Sequence, residues 1–356
     1  MPVSLPQSLL VIRPSALGDV CKTVPVLASI RASWPDVRIG WLVQEEFAAV
    51  IAGHPSLDEV VTFPRTRLRG AWRSPRRASA ALAWLRTLRK GDWEIAVDCQ
   101  GLARSGLFAR ASGAKRRIGF SDAREWGWIH CNERVLPGER HSVDRMMALV
   151  DALGIPRVMD MRLYASDEEI AWWSKSELRP DGRYAVFAPM SRWPAKEWPQ
   201  ERWVELVLEV GGLGFDGVVL VGSPSESASV EAIARAVDAR GAADSDGRKP
   251  VVRVAAGKTN VAQLMAIIAE SALVVANDSA ALHMAVGFDR PLVGLFGPTD
   301  PAEVGPYARA DSVVRVPGAR GSGHDYRSGT DSHESMRSID VGTVLERITT
   351  VTGAGT

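Results

Sequence analysis

Three cysteines in 356 residues are too few for a disulfide framework, and Cys21, Cys99 and Cys131 lie far apart. That usage suits a reducing cytosol. No apolar run approaches the roughly 20 residues that span a bilayer. The N-terminus lacks the basic start and long apolar stretch of a signal peptide. These absences predict a soluble cytoplasmic protein, at most peripheral to a membrane. Overall charge is also nearly missing: the net value is +1, so no global field argues for nucleic acid. Neither H-E-x-x-H nor a paired C-x-x-C occurs, and no metal is expected. A Walker A loop, a dinucleotide fingerprint and a G-x-S-x-G elbow are all absent.

What is present is length, alternation and a normal hydrophobic share of 46%. The chain is too long for one ordinary core and fits two α/β domains. Apolar runs at Ser8–Ile12, Val37–Val43, Val60–Phe63 and Ile95–Asp98 predict strands of a first domain. Helical spacing follows from Val20 to Ala32, with Val20, Val24, Leu27 and Ile30 on one face. Asp19 stands at that helix start, after Gly18. A carboxylate there is an ordinary cap, and it is also where a catalytic base would stand at the mouth of a first strand. The turn-rich RPDGR, residues 179–183, follows a helix predicted over Asp167–Leu178 and marks a domain boundary. Further strands are predicted at Tyr184–Ala188, Val218–Val221, Val251–Ala255, Leu273–Ala276 and Leu292–Phe296. Helices are predicted at Gln200–Val210, Val261–Ala269, Ser279–Gly287 and Val341–Val351. Residues 317–338 read as an irregular loop, and no repeat has a solenoid period. Alternating strands and helices predict mostly parallel sheets. The expected domains are 1–165, 183–338 and a C-terminal helix and tail, 339–356.

Four loops, 189–199, 222–226, 257–260 and 277–283, would leave strand ends on one sheet edge, where such folds bind ligands. They carry Ser191, Arg192, Lys196, Glu226, Lys258, Thr259, Asp278, Ser279 and His283. Lysine and arginine can neutralise a diphosphate, and Glu226 and Asp278 can accept from ribose and sugar hydroxyls. A helix starting near Asp278 adds free N–H groups and a partial positive charge. Separately, residues 65–90 carry nine cations and no acid, with Trp72 and Trp84 among them. Arg104, Arg110, Lys115, Arg116 and Arg117 prolong the basic bias. A solvated helix face is the ordinary meaning; a site for an anionic partner is the other, with tryptophan suited to a membrane interface.

The segments IRPSALGDV, MSRWPAKEWP, GSPSE, GKTNVAQL and NDSAALHMAVGFDRPLVGLFGPTDP resemble the bacterial lipopolysaccharide heptosyltransferases, glycosyltransferase family 9. The resemblance covers roughly residues 8 to 350. It implies a GT-B fold, two Rossmann-like domains with mostly parallel sheets facing across a cleft. The first would bind acceptor and the second a nucleotide sugar. It further implies inverting transfer of heptose from ADP-heptose to an inner-core Kdo or heptose, with Asp19 as general base. Ser191, Arg192, Lys196, Glu226, Thr259, Asp278, Ser279 and His283 would hold the donor, and Arg73, Arg76, Arg77 and Arg104 the anionic lipid-linked acceptor. No metal or cofactor beyond the donor, a monomer, and a place at the inner face of the cytoplasmic membrane are the matching expectations. Two departures stand out: Ala280 replaces the family's glycine, and HESM, His333 to Met336, has serine at a position that is cysteine in many relatives. Another nucleotide sugar, a non-catalytic sugar-nucleotide binder and a UDP-sugar epimerase of GT-B fold stay open as alternatives.

Overall fold

Short, continuous apolar runs need cover on both faces, which a parallel sheet between helices provides. The computed structural model describes residues 5–70, 73–241, 249–315 and 332–353. The chain divides into two units, Met1–Tyr164 and Ala165–Thr356. In the first, β1 (Ser8–Ile12), β2 (Arg38–Gln44), β3 (Glu59–Phe63), β4 (Ile95–Asp98), β5 (Arg116–Phe120) and β6 (Glu133–Val135) form one sheet in the order β3-β2-β1-β4-β5-β6. In the second, β7 (Tyr184–Ala188), β8 (Gly217–Leu220), β9 (Val251–Val254), β10 (Leu273–Asn277), β11 (Leu292–Phe296) and β12 (Val313–Arg315) run in the order β12-β11-β10-β7-β8-β9. Every strand pairing in both sheets is parallel. Read from β9, the second order repeats the first. Strand order therefore reverses between β1 and β4 in one unit and between β7 and β10 in the other. Loops at such reversals splay apart and leave a crevice at the carboxyl edge.

Several expectations need correction. The helix expected over Val20–Ala32 is two, Leu17–Lys22 and Val24–Ser33, joined at Thr23. Pro25 lacks an N–H and so belongs in a first turn, which breaks the run there. β5, β6 and β12 were not expected from the sequence. β5 begins with Arg116 and Arg117, which mask its apolar end. Both arginines are tied down structurally: Arg116 grips Glu133 through two contacts of 2.8 and 2.9 Å, and Arg117 donates to the carbonyls of His130 and Ala114. They add nothing to an anion site. Within the stretch expected to be a loop, Ser332–Arg337 is helical, and Met336 is buried in the second unit's core. The rest of that stretch up to residue 331 lies outside the described residues, as does Trp72.

Residues 165–182 pack with the second unit. Trp173 of the helix Asp167–Ser174 is fully buried and donates from Nε1 to the Tyr184 hydroxyl at 2.7 Å, which donates in turn to the Ile267 carbonyl at 2.9 Å. The last helix, Val341–Thr352, sinks Val344 and Ile348 into the same core, so this helix packs as part of the second unit. Trp84 is packed too: it meets Phe63 and Phe108, each at 5.0 Å between ring centroids, and donates to the Thr62 carbonyl. That removes it as a membrane-facing tryptophan. All three cysteines are unpaired and buried, and burial pushes each thiol up to about 12.

The turn after β4 is built around Asp98. Its carboxylate accepts from the Gln100 and Gly101 N–H groups at 3.0 and 3.1 Å and from the Ser105 hydroxyl at 2.9 Å. Gly101 takes a left-handed φ of 69°, which a side chain would resist. Burial pushes the Asp98 carboxyl up to about 6 despite these donors and the nearby Arg13. A carboxyl raised in the folded state favours folding below its unfolded value of about 3.9 and loses that contribution as pH rises through about 6. Asp98→Asn, which cannot ionise, should flatten the fall in stability between about pH 4 and 6. Urea denaturation at a series of pH values checks this; an unchanged slope would assign the titration to another group.

Candidate functional site

In the first unit, the reversal between β1 and β4 brings the loop after β1 against the turn after β4. The Cys99 N–H donates to the Ile12 carbonyl, and the Ser15 N–H to Gln100 Oε1 at 3.0 Å. The helix Leu17–Lys22 starts beside this junction, and Asp19 lies in its first turn. A carboxylate is favoured there by the helix N-terminus, and its Oδ2 accepts from the Ala16 N–H at 3.3 Å. Two cations also hold it. Lys22 Nζ lies 2.9 Å from Oδ1, and Arg13 Nη2 lies 3.0 Å from Oδ2. Lys22 is only 4% exposed, whereas a third of the Asp19 side chain reaches solvent. Burial alone would push the Asp19 carboxyl up. Lys22 and then Arg13 outweigh it and hold the group far below the ordinary carboxylate range. Arg13 also donates through Nη1 to the Cys99 carbonyl, which ties the clamp to the end of β4.

In the second unit, the reversal lies between β7 and β10. The loop after β7 ends in a 3₁₀ turn, Pro194–Lys196, and the loop after β10 carries Asp278. Lys196 Nζ lies 2.7 Å from Asp278 Oδ2, with the two side chains 12% and 10% exposed. The same oxygen accepts from the Thr299 hydroxyl at 3.0 Å. Ser279 stands at the start of the helix Ala280–Gly287 yet makes no capping bond. Its hydroxyl is buried, with no hydrogen-bond partner among the described residues. The helix thus meets the crevice with its first N–H groups uncapped by that side chain. His283 is buried one turn further on. Ala280 is the first helical residue and does not take a left-handed backbone, so its methyl fits without strain.

The remaining expected donor residues follow neighbouring strands on the same carboxyl edge. Glu226 ends a 3₁₀ turn after β8, where its Oε2 accepts the Ser223 N–H at 2.6 Å. Thr259 follows β9, beyond β8, and Lys258 beside it is exposed. Arg192 is exposed, 5.7 Å from the Trp193 ring centroid, and the Ser191 N–H donates to Glu197 Oε1 at 3.0 Å. The structure thus joins Lys196, Asp278 and Ser279 in one cluster and leaves Arg192, Glu226 and Thr259 around it. On the first unit, Arg73, Arg76 and Arg77 are exposed near the start of the helix Pro75–Lys90. Arg104 is half-buried, 5.5 Å from the Phe63 ring centroid.

A match to the model of glycosyltransferase family 9 (heptosyltransferase) covers residues 81–331. The chain belongs to that family. It is a glycosyltransferase. Lipopolysaccharide heptosyltransferase 1 of Pseudomonas aeruginosa is 29% identical over 319 residues, covering 85% of this chain and 82% of that protein. Lipopolysaccharide heptosyltransferase 2 of Escherichia coli is 26% identical over 358 residues, covering 96% and 97%. Among solved structures, the family 9 glycosyltransferase from Veillonella parvula shares the fold at a TM-score of 0.80 with 21% identity, covering 98% of each chain. The two Rossmann-like sheets are therefore the GT-B architecture of family 9.

Sequence reasoning missed four residues that shape the candidate site. Arg13 and Lys22 clamp Asp19; the signal for Lys22 was its i,i+3 spacing from Asp19 on a helix. Thr299 lies in the GPT segment after β11. Asn277 reads from sequence as a strand stop or helix cap, yet it is fully buried and stitches two loops together. Its Nδ2 donates to the Pro189 carbonyl at 2.6 Å, and its Oδ1 accepts the Trp198 N–H at 3.2 Å. Asn277→Ala strands both backbone groups and should cost about 2–4 kcal/mol. Denaturant unfolding measures it. A loss below about 0.5 kcal/mol would mean that the loop after β7 is held by other contacts.

Proposed function

We propose that this glycosyltransferase moves a heptose from ADP-heptose to an inner-core sugar of lipopolysaccharide, with inversion at the anomeric carbon. The names of its relatives support the substrate class: the similar enzymes are lipopolysaccharide heptosyltransferases. The Escherichia coli heptosyltransferase WaaC, 23% identical and alike in fold, has been solved with ADP-2-deoxy-2-fluoro heptose. The observation in this chain that carries the reading is the charge-balanced Lys196–Asp278 pair beside an uncapped helix start, a crevice with a lysine and free N–H groups fit for a sugar diphosphate.

In this reading the acceptor hydroxyl attacks the anomeric carbon as the bond to the ADP β-phosphate oxygen breaks. The hydroxyl proton passes to Asp19, and the bonding pair leaves with ADP. The sugar passes through an oxocarbenium-like state, as in glycoside hydrolysis. Lys196, Arg192 and the N-terminus of Ala280–Gly287 stabilise the growing diphosphate charge, and no metal is required. Glu226 accepts from the ribose, with Ser191 and Thr259 bordering the nucleotide, while Asp278, Ser279 and His283 serve the sugar and phosphates.

A transfer assay with ADP- and UDP-sugars and a Kdo-containing acceptor tests this. Transfer should need ADP-heptose and survive EDTA. Asp19→Ala should lower the rate roughly 10²–10⁴-fold while ADP binding persists. Lys196→Ala should weaken both ADP binding and turnover. A rate for Asp19→Ala within a few fold of wild type would reduce the aspartate to a helix cap.

The acceptor side of the proposal rests on the helix Pro75–Lys90. Arg76 and Arg77 occupy its first turn, and no acid stands there. Cations at a helix N-terminus oppose its dipole at a cost of about 0.3–1 kcal/mol each, so they do not stabilise the helix. Arginine grips carboxylates and phosphates bidentately, which fits an anionic lipid-linked acceptor at a membrane surface. No helix among the described residues is long and apolar enough to cross a membrane. Replacing Arg73, Arg76 and Arg77 together by glutamine should raise the acceptor KM and reduce its salt sensitivity. Donor KM should hold. Unchanged acceptor kinetics and unchanged binding to anionic vesicles would return this stretch to ordinary surface.

A further inference from the structure

We infer that Lys22 and Arg13 are positioning residues that clamp the two oxygens of Asp19, so that transfer uses a fixed, permanently charged carboxylate rather than a strong base. The inference rests on the reading of Asp19 as the proton acceptor. Its geometry is specific. Each carboxylate oxygen faces a different cation, Oδ1 with Lys22 at 2.9 Å and Oδ2 with Arg13 at 3.0 Å. Lys22 is buried and shares a helix with Asp19, while Arg13 is anchored to the Cys99 carbonyl at the end of β4. The carboxylate therefore cannot rotate without drawing away from two cations that pair with it from different sides.

The other charged groups nearby do not disturb this arrangement. The helix Ala49–Ala52, packed against Leu17–Lys22, carries no ionisable side chain. The helix Val24–Ser33 carries only Arg31, which pairs with Asp58. Asp98 at the end of β4 feels the charge of the same Arg13, and its titration near 6 must be separated from that of Asp19.

A clamped carboxylate is a poor base for a free alcohol, whose proton is held tightly. The demand is different when the sugar departs first. As the acceptor oxygen bonds to an oxocarbenium-like carbon, it gains positive charge and its proton becomes strongly acidic. A weak acceptor suffices then, provided it is ionised and aimed at that oxygen. The proton moves from the acceptor oxygen to Asp19. Because the clamp disfavours the protonated acid, the proton passes on to water, and the carboxylate is restored for the next turnover.

Two measurements test the inference. First, kcat is followed against pH for wild type, Lys22→Met and Lys22→Arg, each also with Asp98→Asn to remove the competing titration. Lys22→Met should lose about tenfold or more in kcat at neutral pH through lost aim, with donor KM unchanged. It should gain an acid limb near about pH 4, where an ordinary aspartate protonates, because Lys22 no longer favours the charged form. Lys22→Arg should restore the wild-type profile, which a loss of packing alone would not predict. A folded Lys22→Met with wild-type kcat and no new acid limb overturns the clamp. Second, should Lys22→Met fail to fold, the Asp19 carboxyl carbon of the wild-type protein is followed by carbon-13 NMR, assigned by its loss in Asp19→Asn. It should stay ionised well below about pH 4, the ordinary aspartate value; titration near that value overturns the inference. Full activity of Asp19→Asn would instead remove the reading of Asp19 as proton acceptor, an outcome distinct from either.

Discussion

The chemistry of this chain hangs on two reversals of strand order. A parallel sheet grown outward from one strand in both directions must send its two central loops apart, and the gap between them is open by construction. In the first unit it lies beyond the carboxyl ends of the paired strands β1 and β4 and is bordered by Arg13, Asp19 and Gln100. In the second it lies beyond the carboxyl ends of β7 and β10 and is bordered by Lys196 and Asp278. No loop has to fold back to make a site. The sheets deliver charged side chains to these gaps because strands buried on both faces leave polar residues nowhere else to go but their ends.

The pairings within each gap show how such charge is tolerated. Lys196 and Asp278 are both nearly buried and neutralise each other at 2.7 Å. A buried pair of this kind adds little net stability, but removing one partner leaves an uncompensated charge that costs about 3–5 kcal/mol. In the proposed reaction, a diphosphate would offer Lys196 a second anion and a sugar hydroxyl would offer Asp278 a donor. The pair is thus a charge-balanced state from which either partner can be recruited without exposing a bare ion. Asn277 plays the matching neutral part, fixing the loop after β7 through two backbone groups.

How much of this the sequence revealed depends on what masks an apolar signal. β1, β4, β7 and β11 stand where the apolar runs placed them, because a strand buried on both faces is almost uninterrupted. β6 and β12 are three residues each, too short for any periodicity, and β5 is hidden behind Arg116 and Arg117. The break at Thr23 was written in Pro25 but overridden by the continuous apolar face around it. Lys196 and Asp278 were legible as charged residues in loops that a parallel sheet must bring to one edge. Their mutual ion pair was not, since nothing in a sequence states which side chains meet over 82 positions. Arg13 and Lys22 were hidden for the opposite reason: a cation beside a helix is so common that its spacing from Asp19 carried no weight.

The three cysteines bear on how the enzyme can be watched at work. Each thiol is buried and pushed up to about 12, so almost none is thiolate at neutral pH, and the thiolate is the reactive form. An alkylating dye should pass over all three. A cysteine placed at Trp126, 71% exposed beside the carboxyl edge of the first sheet, would take that dye ahead of them. The native chain is in effect already a cysteine-silent background, ready to carry a single fluorescent or spin label without first being stripped of its own sulfur.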